Sequence, residues 1–475
     1  MSDLKRSLNL FDTVMLVSGS MIGSGIFIVS ADMMRLLGSP FWVLICWILS
    51  GVITLLAALS YGELAGMMPD AGGQFIYIRR AFGKLSSFLY GWTVFTVIQT
   101  GVIAAVAVAF ARFTGVLFPY FDEKHILFYF GKVSISTTQI LAVLSIVFLS
   151  YLNSLGLSKG QFIQRLFTSA KLLSLFGLIL LGFVVGWSSG YWQSNMALEF
   201  KPLNPPDSGS PTLLIGAIGL ALIGSLFSSD AWNNVTFIAG EIKQPQRNIP
   251  LGLIIGVSLV TLLYILANLA YFMLLPAIGS AEGFSAIEKG IAFAPNDRVG
   301  TAAMSSVFGN VSEIIMAILI MVSTFGCNNG LILSGARLFK SMADEKLFFA
   351  ASSRLNKNNV PASAMWLQAF WASVLCLSGS YGALLDYCTF ASLVFYIITI
   401  FALFHLRRSA PSVHRPYKAL AYPVFPALYI VLAAAVCINL IIYKTENTLL
   451  GILIMALGLP VYYLFNRSKH VAEIP

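Results

Sequence analysis

Ser18-Gly19-Ser20-Met21-Ile22-Gly23-Ser24-Gly25-Ile26-Phe27, in the first apolar stretch, and Phe227-Ser228-Ser229-Asp230-Ala231, in the sixth, are the parts of this chain whose reading decides its fold. Both stretches are long enough to cross a bilayer, and both are interrupted halfway by small and polar residues. A helix at bilayer depth must satisfy its own backbone, so it unwinds only where the freed N–H and C=O groups are sheltered or hold something polar. Two interrupted spans in matching positions of two halves therefore predict a polar binding site near the membrane midplane.

Working outward, the composition places the whole chain in the membrane. Of its 475 residues, 58% are hydrophobic and 10% charged, against about 25% charged in soluble domains. Apolar runs of roughly 20 residues, enough to cross ~30 Å of hydrocarbon, recur twelve times, near 12–36, 41–67, 85–117, 135–153, 162–187, 212–240, 250–276, 305–339, 362–380, 384–406, 422–443 and 447–466. The loops between them leave no room for a soluble domain. The start, Met1-Ser2-Asp3-Leu4-Lys5-Arg6, runs straight into the first span without the short apolar core and small-residue cleavage site of a secretory signal.

If twelve spans alternate, 20 of the 29 Lys and Arg fall on one side and eight on the other, with Lys171 inside a span. The positive-inside rule then predicts cytoplasmic termini and a multi-pass protein of the plasma or inner membrane. The net charge of +9 is this bias spread over short loops, which excludes a nucleic-acid-binding face.

Cys46, Cys327, Cys376, Cys388 and Cys437 all lie in predicted spans without CxxC spacing, so neither a disulfide framework nor a zinc site is expected. His125, His405, His414 and His470 fall in loops, at a helix end or in the tail. No intramembrane cluster of acid, base and nucleophile or of metal ligands is present in the pattern, so no enzyme activity, cofactor or metal is expected.

Spans one and six become a symmetry-related pair if five spans are followed by five more in inverted order. The expected architecture is all-α, with 12 transmembrane helices in a 5+5 inverted repeat. Its parts are a first repeat at 1–190, a second at 210–407, and two extra helices at 417–467.

In span one, a half-helix starting near Ser24 would present free N–H groups and a positive dipole end to an anion. The same Gly and Ser residues also permit close helix packing. In span six, unwinding frees carbonyls at Phe227, Ser228 and Ser229 for a positive group. An anion site facing a cation site describes a zwitterion such as an amino acid. Asp230 is the sharpest residue in the chain, because an intramembrane carboxylate is a functional candidate by default. It either faces the pocket or caps the amides of Trp232–Glu241. Lys171 lies ~14 Å into span five, deeper than snorkelling reaches, where its three donors can hold unwound carbonyls as a sodium ion would. Glu63, Glu313 and Asp386 lie near span ends, where a wet interface accounts for them.

Four groups of residues carry a resemblance: Ile22-Gly23-Ser24-Gly25-Ile26-Phe27; Tyr61-Gly62-Glu63-Leu64 with Pro69-Asp70-Ala71-Gly72-Gly73 and Tyr77; Thr168 with Lys171; and Asp230-Ala231-Trp232-Asn233 leading to Gly240-Glu241, Pro245, Arg247, Asn248 and Pro250. With these the chain resembles the amino acid–polyamine–organocation transporters, in particular their L-type amino acid transporter branch. The resemblance implies the inverted-repeat fold with helices 1 and 6 discontinuous, and exchange by alternating access. It implies that the substrate carboxylate binds the amides of Ser24, Gly25 and Ile26, and its amino group the carbonyls near Ile22, Phe227 and Ser228. Asp230 and Asn233 would bear on the side chain, and Lys171 would stand where sodium-coupled relatives hold an ion. A sodium-independent exchanger of neutral L-amino acids is the expectation, with proton-coupled or cationic amino acid uptake, or sensing without flux, as alternatives. Light subunits of this branch carry a cysteine in the loop after span three; residues 118–134 contain none, so no disulfide-linked heavy subunit is expected.

Overall fold

Asn9 starts the first helix. Its side chain accepts the Asp12 amide at 3.0 Å while the Asp12 carboxylate accepts the Asn9 amide at 3.0 Å, a reciprocal cap that satisfies two otherwise orphaned donors. The structure, a computed structural model, describes residues 6–122, 124–130, 133–205, 213–309, 311–378 and 381–472.

Helix α1 (Leu10–Met21) stops where Ile22 turns extended, and α2 (Gly25–Leu37) resumes at an angle of 42°. It ends at Gly38, whose φ of 63° closes the helix in the left-handed region. Next come α3 (Pro40–Met67), with proline in its first turn, and α4 (Gln74–Thr93). A π turn at Val94–Ile98 joins α4 to α5 (Gln99–Leu117). A hairpin of β1 (Ile126–Phe130) and β2 (Val133–Ser136) leads to α6 (Thr137–Ser154), α7 (Leu157–Gly186) and the short α8 (Tyr191–Met196). Helix α9 (Leu213–Ser228) gives way to a 3₁₀ stretch at Trp232–Glu241. The chain continues through α10 (Pro245–Leu274), α11 (Ala286–Lys289), α12 (Val299–Phe308), α13 (Val311–Asp344), α14 (Ala362–Ser378) and α15 (Tyr381–Ser409). It closes with α16 (Val424–Tyr443) and α17 (Thr445–Ala472).

Among the described residues, ten helices are long and apolar enough to cross a membrane, or eleven with α1 and α2 as one bent span. The apolar α14, at 17 residues, is shorter. Several expected boundaries differ, two of them in ways that change an element. The third span reaches back to Gln74, because the chain stays helical through a kink at Gly83 and the π turn. The expected start of the eighth, at 305, belongs to the separate α12, and α13 begins at Val311.

Buried apolar side chains fall into two groups, one around α1, α2, α3 and α10 and the other around α5, α6, α13 and α14. The sixth span feeds both: Leu226 and Trp232 join the first, Phe227 and Ala231 the second. Its break thus sits at the seam between them. At one end of this seam the N-terminal stretch is stitched to the end of the sixth span. Ser7 and Leu8 donate their amides to the Glu241 carbonyl at 2.9 and 3.0 Å, and the Lys243 amide donates to Leu8 at 2.7 Å.

Glu63 is not at a wet interface. It is fully buried, with Arg407 Nε at 2.9 Å, Arg415 Nε at 3.1 Å and the Ala419 amide at 2.7 Å. Arg407 and the Ala419 amide donate to it and Arg415 adds a second positive charge, together replacing the water that a bare carboxylate would need. Asp386 is mostly buried and accepts Asn447 at 2.8 Å, whereas Glu313 is exposed.

Candidate functional site

At the first break the backbone from Gly19 to Gly23 loses its helical partners, and side chains from three other spans take their place. Lys171, on α7 and buried, donates its ammonium to the Gly19 carbonyl, to Ile22 at 2.7 Å and to Ser323 at 3.5 Å. The Cys327 thiol approaches the Ser20 carbonyl at 3.0 Å, and the Tyr264 hydroxyl donates to Met21 at 3.1 Å. Ser323 Oγ lies 3.3 Å from both the Ile22 and Gly23 carbonyls. A peptide carbonyl stripped of water at bilayer depth costs several kcal/mol unless paired, on the order of the penalty for any unsatisfied polar group in hydrocarbon. Every carbonyl from Gly19 to Gly23 is paired.

Ser24, Gly25 and Ile26 are buried and open α2, so their amides belong to the turn that has no intrahelical acceptor. Gly25 also has a packing role: a Cβ there would lie 2.1 Å from Ser228 Oγ and 2.8 Å from Ser228 Cβ. The two breaks therefore touch at this pair.

In the sixth span the Phe227 carbonyl takes the Asp230 amide at 3.1 Å and the Ser228 carbonyl takes Tyr264 at 3.0 Å. Ser228 Oγ turns back to Gly224 at 2.8 Å. Two of the three carbonyls expected to be open to a positive group, Phe227 and Ser228, already have protein donors, each leaving one lone pair. The single Tyr264 hydroxyl proton lies between one carbonyl of each break and is shared by them.

Asp230 does not cap the following stretch. Ala231 adopts the left-handed region at φ 64°, no side chain caps the Trp232–Glu241 turns, and these wind as 3₁₀ rather than α-helix. The Asp230 carboxylate instead accepts the Tyr396 hydroxyl at 2.5 Å and Ser392 at 3.2 Å, both from α15. Tyr396 also reaches Asn233 Oδ1 at 3.2 Å, and Asn233 donates to Gln74 at 2.9 Å. A left-handed non-glycine residue costs of order 1–3 kcal/mol and persists where its surroundings fix it; here it turns the chain so that Asp230 points away from the helix axis. Asp230, Ser392 and Tyr396 stand between two small cavities, each with room for about one or two water molecules. One has Gln74, Asn233 and Asn234 in its wall; the other has Ile53, Leu226 and Tyr429.

Of the residues expected from the sequence, Ile22, Gly25, Lys171 and Ser228 converge on the crossing of the breaks, while Asp230 and Asn233 lie on the α15 side of the sixth. Phe227 and Ile26 are buried in the flanking core. Sequence reasoning missed Tyr264, Ser323, Tyr396 and the role of Cys327. The available signal was a hydroxyl or thiol in mid-span wherever a broken helix needs donors. It also passed over Arg337, inside the expected eighth span, which is buried and paired with the buried Glu241 at 3.0 Å. No group of three or more His, Cys, Asp or Glu able to hold a metal occurs among the described residues.

The family profile described as Amino acid permease matches residues 8–463. The human b(0,+)-type amino acid transporter 1 is 29% identical over 471 residues, 98% of this chain and 89% of its own length. The serine/threonine exchanger SteT of Bacillus subtilis is 28% identical over 469 residues, 98% of each chain. The mouse large neutral amino acids transporter small subunit 2 is 28% identical over 472 residues, 98% of this chain and 82% of its own. With the profile running through both breaks and nearly end to end, this multi-pass membrane chain belongs to the amino acid permease family and is an amino acid transporter, not an enzyme.

Proposed function

We propose that the protein is a sodium-independent exchanger of neutral L-amino acids, working by alternating access in the plasma or inner membrane with both termini cytoplasmic. The observation that carries the sodium independence is the Lys171 ammonium, which donates to Gly19, Ile22 and Ser323 carbonyls at the first break. A fixed cation there does the work of a bound metal ion, so none is needed to hold the break. Exchange is supported by relatives that include an exchanger, and a neutral substrate by one named for large neutral amino acids.

In this reading the chain forms twelve spans, with α14 as the ninth, arranged as two inverted sets of five at 1–190 and 210–407 followed by two further helices at 417–467. The substrate carboxylate binds the amides of Ser24, Gly25 and Ile26. Its ammonium takes the remaining lone pairs of the Ile22, Phe227 and Ser228 carbonyls, and its side chain lies toward Asn233 and Asp230. The contact of Gly25 with Ser228 leaves no gap between the breaks, so binding requires them to part and transport cycles between parted and closed forms. The protein acts without a disulfide-linked subunit, since residues 118–134 carry no cysteine.

A second reading, uptake of cationic amino acids or coupling to protons, is favoured by Asp230, whose hydrogen-bond donors Tyr396 and Ser392 are both neutral. One experiment separates these. Purified protein in sodium-free liposomes preloaded with unlabelled amino acids is offered each labelled amino acid in turn. Accumulation of a neutral amino acid that needs internal substrate is expected. Uptake into empty vesicles driven by a pH gradient, or accumulation of lysine and arginine alone, would replace the first reading with the second. Saturable binding without accumulation would mean a sensor.

A further inference from the structure

On the outer wall of the bundle, α15 carries a stripe made of Ile398, Phe401, His405 and Arg408, spaced three, four and three residues apart and so aligned on one helix face. Together with Phe404 and with Phe82 of α4, these residues line a single open groove. Phe401 is 49% and Phe82 38% exposed, and the Phe82 and His405 rings lie 5.6 Å apart. The groove is apolar along its length and cationic at one end. From Ile398 to Arg408 it runs ten residues, about 15 Å at the helical rise, which is the hydrocarbon depth of one leaflet, half of ~30 Å.

The cation at its end is uncommitted. Arg407, its neighbour, is bound to Glu63 and lies over the Tyr422 ring at 3.7 Å, and Arg79 pairs with Glu345 at 3.7 Å. Arg408 has no hydrogen bond or ion pair with any described residue, and the same holds for Arg80 and Lys84, which flank Phe82 in the chain. Between Phe82 and Lys84 the chain kinks at Gly83, where φ is 84° and a Cβ would meet nothing within 4 Å.

We propose that this groove is a site for one anionic phospholipid, its acyl chain along Phe401 and Ile398 and its phosphodiester on Arg408, with Arg80 and Lys84 supplying the surrounding positive field. An apolar channel of leaflet length ending in uncommitted cations is complementary to a lipid that carries net negative charge, and a zwitterionic lipid gains only the apolar part. Basic groups near a membrane surface attract anionic lipid by about a factor of five each. The proposal depends only on the chain spanning the bilayer and not on its substrate.

Native mass spectrometry of the full-length protein, released from neutral detergent supplemented with phosphatidylglycerol or with phosphatidylcholine of the same acyl chains, tests it. One phosphatidylglycerol retained at least fivefold over phosphatidylcholine is expected. Arg408→Gln, an exposed change that leaves the fold alone, is expected to reduce that preference about fivefold, and Lys84→Gln to reduce it in the same direction. Equal retention of both lipids, or an undiminished preference in Arg408→Gln, overturns the proposal. Displacement of the lipid by millimolar inorganic phosphate overturns it as well, since the site would then be one for a free anion.

Discussion

Gly25 and Ser228 are in contact where the two broken spans cross: a Cβ on Gly25 would come within 2.1 Å of Ser228 Oγ. Gly25→Ala is therefore expected to force the breaks apart and to reduce counterflow at least tenfold. Adding Ser228→Gly, which removes the colliding atoms, is expected to restore a measurable share. If the double variant is as dead as the single one, close packing is not the reason glycine stands at position 25.

Removing the Lys171 side chain takes a donor from Gly19 and Ile22 together. A buried acceptor left unpaired costs roughly 1–3 kcal/mol. Lys171→Ala is expected to express and insert, to melt several degrees lower in detergent, and to lose most of its sodium-free flux. Wild-type flux would retire the idea that the ammonium replaces an ion.

Tyr264→Phe deletes one oxygen that serves both breaks, Met21 at 3.1 Å and Ser228 at 3.0 Å. The ring stays packed edge-on against Trp47, so the fold should hold. Transport is expected to fall more than thermal stability does; an equal loss in both would assign Tyr264 to packing.

Asp230→Asn keeps an acceptor for Tyr396 but removes the charge. The ratio of lysine or arginine to neutral uptake in counterflow is expected to fall. An unaltered substrate profile would leave Asp230 as a residue that positions α15 and nothing more.

The buried pair Arg337–Glu241 offers a stability test away from the substrate. Arg337→Leu alone strands a carboxylate and is expected to cost about 3–5 kcal/mol, visible as a large drop in melting temperature. Arg337→Leu with Glu241→Gln is expected to recover much of it. Equal melting of single and double variants would show the pair carries no mutual stabilisation.

The breaks at Ile22–Ser24 and Ser229–Ala231 were legible because small and polar residues in an otherwise apolar run stand out against the membrane's demand for unbroken helix. Lys171 was legible for the same reason. What could not be read was which carbonyls remain open. That depends on Tyr264, Ser323 and Cys327, hundreds of residues away in sequence and unremarkable among apolar neighbours until the spans are packed. Asp230 shows the limit most clearly. Its position makes it a candidate, but its partners, Tyr396 and Ser392, come from a span with no marking of its own. Glu63 was misplaced, and Arg337 passed over, because a charge near a span end looks the same in sequence whether it meets water or a buried counter-charge.

The three backbone hydrogen bonds that join Ser7 and Leu8 to Glu241 and Lys243 make the start of the first span and the end of the sixth a single mechanical piece on that face. Each such bond contributes on the order of 1 kcal/mol net, so pulling the two segments apart there carries a penalty of about a hundredfold. The tie is made by main chain alone. Side-chain changes at Ser7 and Leu8 therefore weaken this tie little, whereas a proline at Leu8, which removes a donor, loosens it.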